Sequence, residues 1–326
     1  MATVLVTGAT GSVGSNVCRL AVEHGHTVRA LVRDPGPAAP LAALGVDLVE
    51  GDVTDPASVD AAAAGVNWII HGAAVLGGTW TTSTAADFEA VNQWGAFHVL
   101  DAAEREGVER TVLLLSGVVL DSGYTSTERG PFRPISDENS PYTKAKLAAM
   151  YEGLARAARG RWVNFVVPGG IYGPTPMIER ALVPTIYTGT LLDAAHGKIT
   201  SYIDHPQTWV LASDVAEISL RAASQGRRGA FYLALGPADQ ACSLARLCNK
   251  FLELAGIDRH VEEVTIDPTR PDAEAVYGSM LKYVQSSYPE PHHDDTATTT
   301  ELGVPLTSVD DGLRQTLEWL RLNGKL

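Results

Sequence analysis

The sequence predicts an α/β fold: a doubly wound parallel sheet with helices on both faces, followed by a smaller C-terminal lobe. Three observations carry this expectation. Short β-branched runs alternate with helical patterns through the first half of the chain. Those runs are apolar nearly throughout, as strands buried on both faces must be. A glycine-rich turn separates the first run from the first helix.

The runs are Val4–Val6, Val28–Val32, Val46–Val49, Trp68–Ile70, Val112–Leu115 and Val163–Val167, and the helical stretches between them include Ser12–His24, Ala85–Glu106 and Pro141–Arg159. Right-handed crossovers convert that alternation into a sheet covered on both sides. After Pro168 the rhythm breaks. Residues 168–208 are rich in Gly, Pro and Thr around an apolar 181–192 segment. Alternation resumes with a helix at Asp214–Ala223 and a strand at Ala230–Ala234, and Leu244–Ala255 and Val309–Leu322 read as helices. The division expected is therefore a dinucleotide-binding unit over 1–167, rejoined by 209–235, with 168–208 and 236–326 forming mainly a substrate-binding lobe. Residues 286–300, mixing Ser, Pro, His, Asp and Thr, read as an exposed loop.

Composition narrows the function. A chain of 326 residues with 45% hydrophobic residues can bury a full core. Its net charge of -13 and lack of basic runs speak against nucleic acid as a partner. No apolar run approaches the ~18 residues of a membrane span, and the N-terminus has no signal-peptide pattern. Cys18, Cys242 and Cys248 have no metal or redox spacing. A cytoplasmic protein with reduced thiols and no membrane contact is expected.

The turn Thr7-Gly8-Ala9-Thr10-Gly11-Ser12-Val13-Gly14 lies between strand and helix, where a Rossmann fold binds a pyrophosphate. Backbone N–H groups and the positive helix end would receive it. At the end of the second strand an NAD site usually offers a carboxylate to the ribose. Here that position is Val32, followed by Arg33, whose guanidinium suits a 2′-phosphate. The expected cofactor is NADP(H). Asp34 is the acidic counter-candidate, although its Asp-Pro setting suggests a turn; Arg29, four residues earlier and on the same strand face as Arg33, reads as structural.

Tyr142 and Lys146 stand four apart on one face of the helix starting near Pro141. A phenol so placed can exchange a proton with a carbonyl or alcohol oxygen. Bringing its pKa from ~10 to ~7 takes about 4 kcal/mol, which one ammonium about 4 Å away supplies at intermediate dielectric. Ser116 ends the fifth strand, at the edge where such sheets open their ligand crevice, and can orient the substrate oxygen.

At these residues the chain resembles the extended short-chain dehydrogenases/reductases, over nearly its whole length. The family's TGxxGxxG corresponds to Thr7–Gly14, and its adenine-side pair resembles Asp52-Val53. The fourth-strand signature is similar to Ile70-His71-Gly72-Ala73-Ala74, and the element after the sheet resembles Pro168–Pro174. The resemblance implies a catalytic set of Ser116, Tyr142 and Lys146, with Asn92 as a structural or proton-relay partner. It implies cofactor contacts from Thr7, Gly8, Thr10, Gly11, Ser12, Val13 and Gly14. Further contacts are implied from Asp52, Val53, Ala73, Ala74, Lys146, Pro168, Gly170 and Ile171. The stretch Thr27–Pro35 looks most like dihydroflavonol reductases and related aldehyde/ketone reductases, where the arginine matching Arg33 binds the phosphate.

The expected activity is hydride transfer between NADP(H) and an apolar or aromatic carbonyl/alcohol pair. A sugar-nucleotide epimerase or dehydratase retaining NAD(H) is the alternative, weakened by Gly170 where such enzymes commonly carry Asn. A catalytically silent dinucleotide-binding protein is the other. Trp80, Tyr172, Met177, Tyr187, Tyr202 and Trp209 are candidates for either cleft wall or core, and His292-His293-Asp294-Asp295 reads as solvated polar residues rather than a metal site. His71 reads as a structural residue near the cofactor. The helices over 85–106 and 141–159 are candidates for a homodimer face.

Overall fold

The computed structural model describes residues 1–77, 82–121, 125–183, 185–267, 269–277 and 293–326. The first half alternates as expected: β1 (Thr3–Thr7), α1 (Ser12–Glu23), β2 (Thr27–Val32), α2 (Ala39–Ala43), β3 (Asp47–Glu50), α3 (Pro56–Ala63) and β4 (Trp68–His71). The helix expected over 85–106 is continuous but changes its winding, from α4 (Ala85–Asp87) through a π-helical stretch Phe88–Trp94 to α5 (Gly95–Arg105). Then come β5 (Arg110–Leu114), β6 (Ser126–Thr127), α6 (Pro141–Ala158) and β7 (Val163–Pro168). Ser140 starts α6 by accepting from the Thr143 N–H (3.1 Å), with Pro141 in the first turn, where a missing N–H is harmless.

The remainder comprises β8 (Gly170–Tyr172), α7 (Ile178–Ala181), α8 (Tyr187–Ala195), β9 (Ser201–Ile203), β10 (Trp209–Leu211), α9 (Ala212–Gln225), β11 (Phe231–Ala234), α10 (Leu244–Ala255) and β12 (Glu262–Val264). Beyond these lie a short helix Ala273–Tyr277, the strand His293–Asp294 and helices Thr296–Leu302 and Val309–Leu322.

Seven strands form one parallel sheet in the order β3-β2-β1-β4-β5-β7-β11. The chain winds outward from β1 to β3, then returns to lay β4 on the other side of β1. That reversal opens a crevice beyond the carboxyl ends of β1 and β4. Helices α1 and α9 cover one face; α3, α5 and α6 cover the other. Val4, Val6, Val17, Val112, Val166 and Ile218 are fully buried or nearly so on the first side, with Leu113, Leu147, Met150 and Phe165 on the second.

Three parallel strand pairs lie outside the main sheet: β8–β10, β9–β12, and β6 with the strand His293–Asp294. Tyr172, Trp209, Phe251 and Leu313 share a separate core with α8, α10 and the helix Val309–Leu322. Trp209 donates its indole N–H to the Cys242 carbonyl (2.9 Å), so its polar edge is satisfied inside an apolar cluster.

The reading of 286–300 as an exposed loop is corrected over its described part. His293–Asp294 pairs with β6, and Thr296–Leu302 is helical. Thr298, fully buried, accepts from the Leu233 N–H (2.8 Å) at the edge strand β11, and Thr298 donates to Glu128. A polar segment is ordered because it satisfies a sheet edge that water would otherwise reach. His293 is half-buried, with Nε2 2.9 Å from the Gly236 carbonyl, and so is not a solvated residue; His292 lies outside the described residues.

Candidate active site

The turn after β1 brings its backbone against the chain leaving β4. Gly8 has φ of +68°, and a Cβ there would sit 2.5 Å from the Gly72 carbonyl carbon. Only glycine allows both the left-handed conformation and that approach. The Gly11 N–H bonds the Gly8 carbonyl (2.9 Å), and Gly11 caps α1 without a side chain. The first-turn N–H groups therefore face the crevice with no side-chain acceptor. Ser12 Oγ is buried there without a hydrogen-bond partner. A pyrophosphate fits this chemistry: an anion would meet N–H donors, a helix end and an orphaned hydroxyl together.

The sequence did not reveal how α1 is held. Ser15 Oγ lies 2.6 Å from Thr175 Oγ1, and Asn16 Nδ2 donates to the Pro174 carbonyl (2.9 Å). Two polar residues on a buried helix face thus stitch the turn to the segment after β8. Val13 packs partly against the core below, while Thr10 is half-buried.

At the end of β2, Val32 is buried and Arg33 exposed. Arg33 has no hydrogen-bond or ion-pair partner among the described residues. Asp34 accepts from the Gly36 N–H (2.9 Å), the local turn its Asp-Pro context suggests. Arg29 donates to the Ala62 and Ala64 carbonyls (2.7 and 2.9 Å), which makes it structural. Asp52 accepts from both the backbone and hydroxyl of Thr54 (2.9 Å each), and the Val53 carbonyl meets His98 Nδ1 at 2.9 Å.

Ser116, at the mouth of β5, is close enough to the Tyr142 hydroxyl to act on its phenol. Lys146 follows one helical turn later and is buried, its ammonium donating to the Leu114 carbonyl (3.0 Å). Lys146 also lies within electrostatic reach of His71 at the end of β4, and the N–H of Ala73, two residues on, points to Thr7 Oγ1 (3.3 Å). His71 is buried with Nδ1 2.8 Å from the same hydroxyl. Burial, then the nearby Lys146 charge, pushes the His71 imidazole down to about 3, so it is neutral.

Two surroundings act on the Tyr142 phenol, burial and Ser116. Burial pushes Tyr142 above its ordinary value, and Ser116 only partly opposes this. Burial lowers Lys146 to about 8. Tyr142 therefore holds its proton.

Asn92, on the π-helical stretch, is buried and spends both ends of its amide on one residue: Oδ1 accepts from the Val75 N–H (2.8 Å) and Nδ2 donates to the Val75 carbonyl (2.9 Å). This assigns the side chain to holding the loop after β4. Pro168 ends β7, and Gly170 and Ile171 pair with Trp209 and Val210. Ala73 and Ala74 are half-buried. Of the aromatic and sulfur candidates, Tyr172, Met177 and Trp209 are core residues, whereas Tyr187 and Tyr202 are half-buried; Trp80 lies outside the described residues.

A parallel sheet with a glycine turn at its switch point defines a dinucleotide-binding Rossmann protein. Residues 4–233 match the NAD dependent epimerase/dehydratase family, and the chain belongs to that family. It is an oxidoreductase of the extended short-chain type that binds a nicotinamide dinucleotide. It is similar to "Sterol demethylase protein B" of Methylococcus capsulatus (28% identity; 99% of this chain and 100% of the relative). It is also similar to a putative dihydroflavonol 4-reductase of Synechocystis (26%; 98% and 94%) and a dTDP-glucose 4,6-dehydratase of Streptomyces niveus (28%; 98% and 93%). The crystal structure of gox2253 superposes with a TM-score of 0.83 at 25% identity, covering 99% of each chain.

Proposed function

We propose that this protein is an NADP(H)-dependent carbonyl reductase/alcohol dehydrogenase acting on apolar or aromatic aldehydes and ketones. The carrying observation is Ser116 close enough to act on the Tyr142 phenol, with Lys146 buried one helical turn further along α6. The nicotinamide, when bound, supplies or takes the hydride at the carbonyl carbon. Ser116 orients the substrate oxygen, and Tyr142 passes its proton to that oxygen as the C=O double bond becomes C–OH. Lys146 adds positive charge that favours the phenolate left behind. The proton is regained from solvent. In the alcohol direction the same groups run in reverse.

Arg33 supports the 2′-phosphate because it is uncommitted, while Asp34 is engaged in its own turn. The lobe supports a substrate without a diphosphate. Among its described Lys and Arg residues, all except exposed Arg180 are ion-paired or hydrogen-bonded. The dTDP-glucose dehydratase relative favours a second reading, a sugar-nucleotide enzyme with retained NAD(H).

One experiment separates them. Purified protein is mixed with NADPH or NADH and either an aromatic carbonyl panel or a dTDP-sugar, and reduced-nicotinamide absorbance and sugar products are followed. NADPH oxidation with carbonyls, lost by about 100-fold or more in Tyr142→Phe, supports the proposal. Conversion of the dTDP-sugar with no carbonyl turnover, or full activity of Tyr142→Phe, overturns it.

A further inference from the structure

Tyr142 needs more than a helix position to act, since its ring must present the hydroxyl to Ser116 and the substrate oxygen together. Two elements confine that ring. Phe88, on the π-helical stretch, meets it edge-on with centroids 5.7 Å apart and planes at 74°. The Gly77 backbone lies against the root of the ring: a Cβ there would fall 2.9 Å from Tyr142 Cγ and 3.1 Å from both Cβ and Cδ1. A rigid ring anchored to a helix cannot yield at those atoms without rotating about χ1 or moving the loop. Gly77 is not among the residues with positive φ, so an added methyl tests this contact and not backbone strain.

The chain reaching Gly77 is fixed two residues earlier, where Asn92 holds both backbone groups of Val75 (2.8 and 2.9 Å). Asn92 and Phe88 stand four apart on the same π-helical stretch and are both buried. One structural element therefore sets both the Phe88 contact and the loop bearing Gly77.

We infer that Gly77 is a positioning residue for Tyr142: its bare backbone, tethered through Val75 to Asn92, fixes the ring in the orientation that delivers the phenol to Ser116. This rests on the catalytic reading of Tyr142. A misplacement of about 1 Å at a reacting group costs on the order of 100-fold in rate. Gly77→Ala should lower kcat by about 30- to 100-fold, with KM and the NADPH dissociation constant changed by less than about threefold.

The test is a double-mutant cycle on the NADPH-bound enzyme with benzaldehyde, comparing wild type, Gly77→Ala, Tyr142→Phe and the double variant. If Gly77 acts through the phenol, alanine costs nothing further once the hydroxyl is gone. An equal loss in both backgrounds assigns a merely structural role and overturns the inference, as does wild-type kcat in Gly77→Ala while Tyr142→Phe is inactive. Full activity in Tyr142→Phe instead overturns the catalytic reading. A crystal structure of Gly77→Ala provides a readout independent of substrate. The inference expects the Tyr142 ring to be displaced from its wild-type position, and an unmoved ring overturns it even if benzaldehyde is not turned over by wild type.

Discussion

Arg33→Ala isolates the cofactor's 2′-phosphate from everything else the site does. Arg33 is exposed just past β2, unpaired among the described residues, so the mutation breaks no internal contact. Neither neighbour substitutes for it. Arg29 is committed to the Ala62 and Ala64 carbonyls, and Asp34 would repel phosphate. A charge-assisted hydrogen bond contributes about 1.5–3 kcal/mol. Screening of an exposed guanidinium favours the lower part of that range, about 1.5–2 kcal/mol, or roughly 10- to 30-fold in dissociation constant. NADH has no phosphate at this point and should lose less than about threefold. Titration calorimetry of wild type and variant with both cofactors, at low and high salt, decides the matter. The NADPH advantage of wild type should shrink with salt, and the variant should show little of either. A wild-type preference for NADH, or equal losses for both cofactors, refutes the assignment of Arg33 and turns attention to Asp34.

Two further outcomes follow from the site's burial. His71 titrates below its unfolded value, so between pH 6.5 and about 3 the unfolded chain binds more protons than the folded one. Stability contributed by neutral His71 is present above pH 6.5 and is lost as pH falls through that window, by on the order of 5 kcal/mol in full. Denaturant unfolding of His71→Asn across the window should show a flatter pH dependence than wild type; parallel slopes would refute the buried neutral imidazole. Tyr187 donates to Gln207 Oε1 (3.2 Å), packs edge-on against Trp209 at 4.9 Å and lies within electrostatic reach of Tyr142. If its ring walls the substrate cleft, Tyr187→Ala should raise KM for an aromatic carbonyl about 10-fold, the scale of one aromatic contact. Tyr187→Phe should leave KM near wild type, and unchanged KM in both variants would place Tyr187 outside the cleft.

The sequence by itself determined the elements whose causes are local. Alternating apolar runs and helical periods specify β1 to β5, β7 and the helices α1, α4 to α5 and α6, because side-chain burial on both faces leaves a continuous apolar signature. Thr7–Gly14 is readable because a tight strand-to-helix turn needs glycine at set offsets. Tyr142 and Lys146 are readable because four residues make about one helical turn. Capping is also local, and Ser140-Pro141 marks the start of α6.

Tertiary structure alone decided whatever depends on partners distant along the chain. The spacing of Tyr142 and Lys146 suggested a lowered phenol. The structure aims the ammonium at the Leu114 carbonyl, and burial, which spacing does not encode, pushes the phenol up. Thr298 looked like part of a polar loop until the unpaired edge of β11 gave its hydroxyl a backbone donor. Tyr172, Trp209 and Tyr187 are equivalent as aromatic residues in sequence, yet the first two complete a core and the third remains half-buried. Gly77 carried no signal at all. Its meaning lies in the Tyr142 ring, 65 residues away, that its missing side chain leaves room for. Close approach between remote segments is a property of packing, and no local pattern of residue types records it.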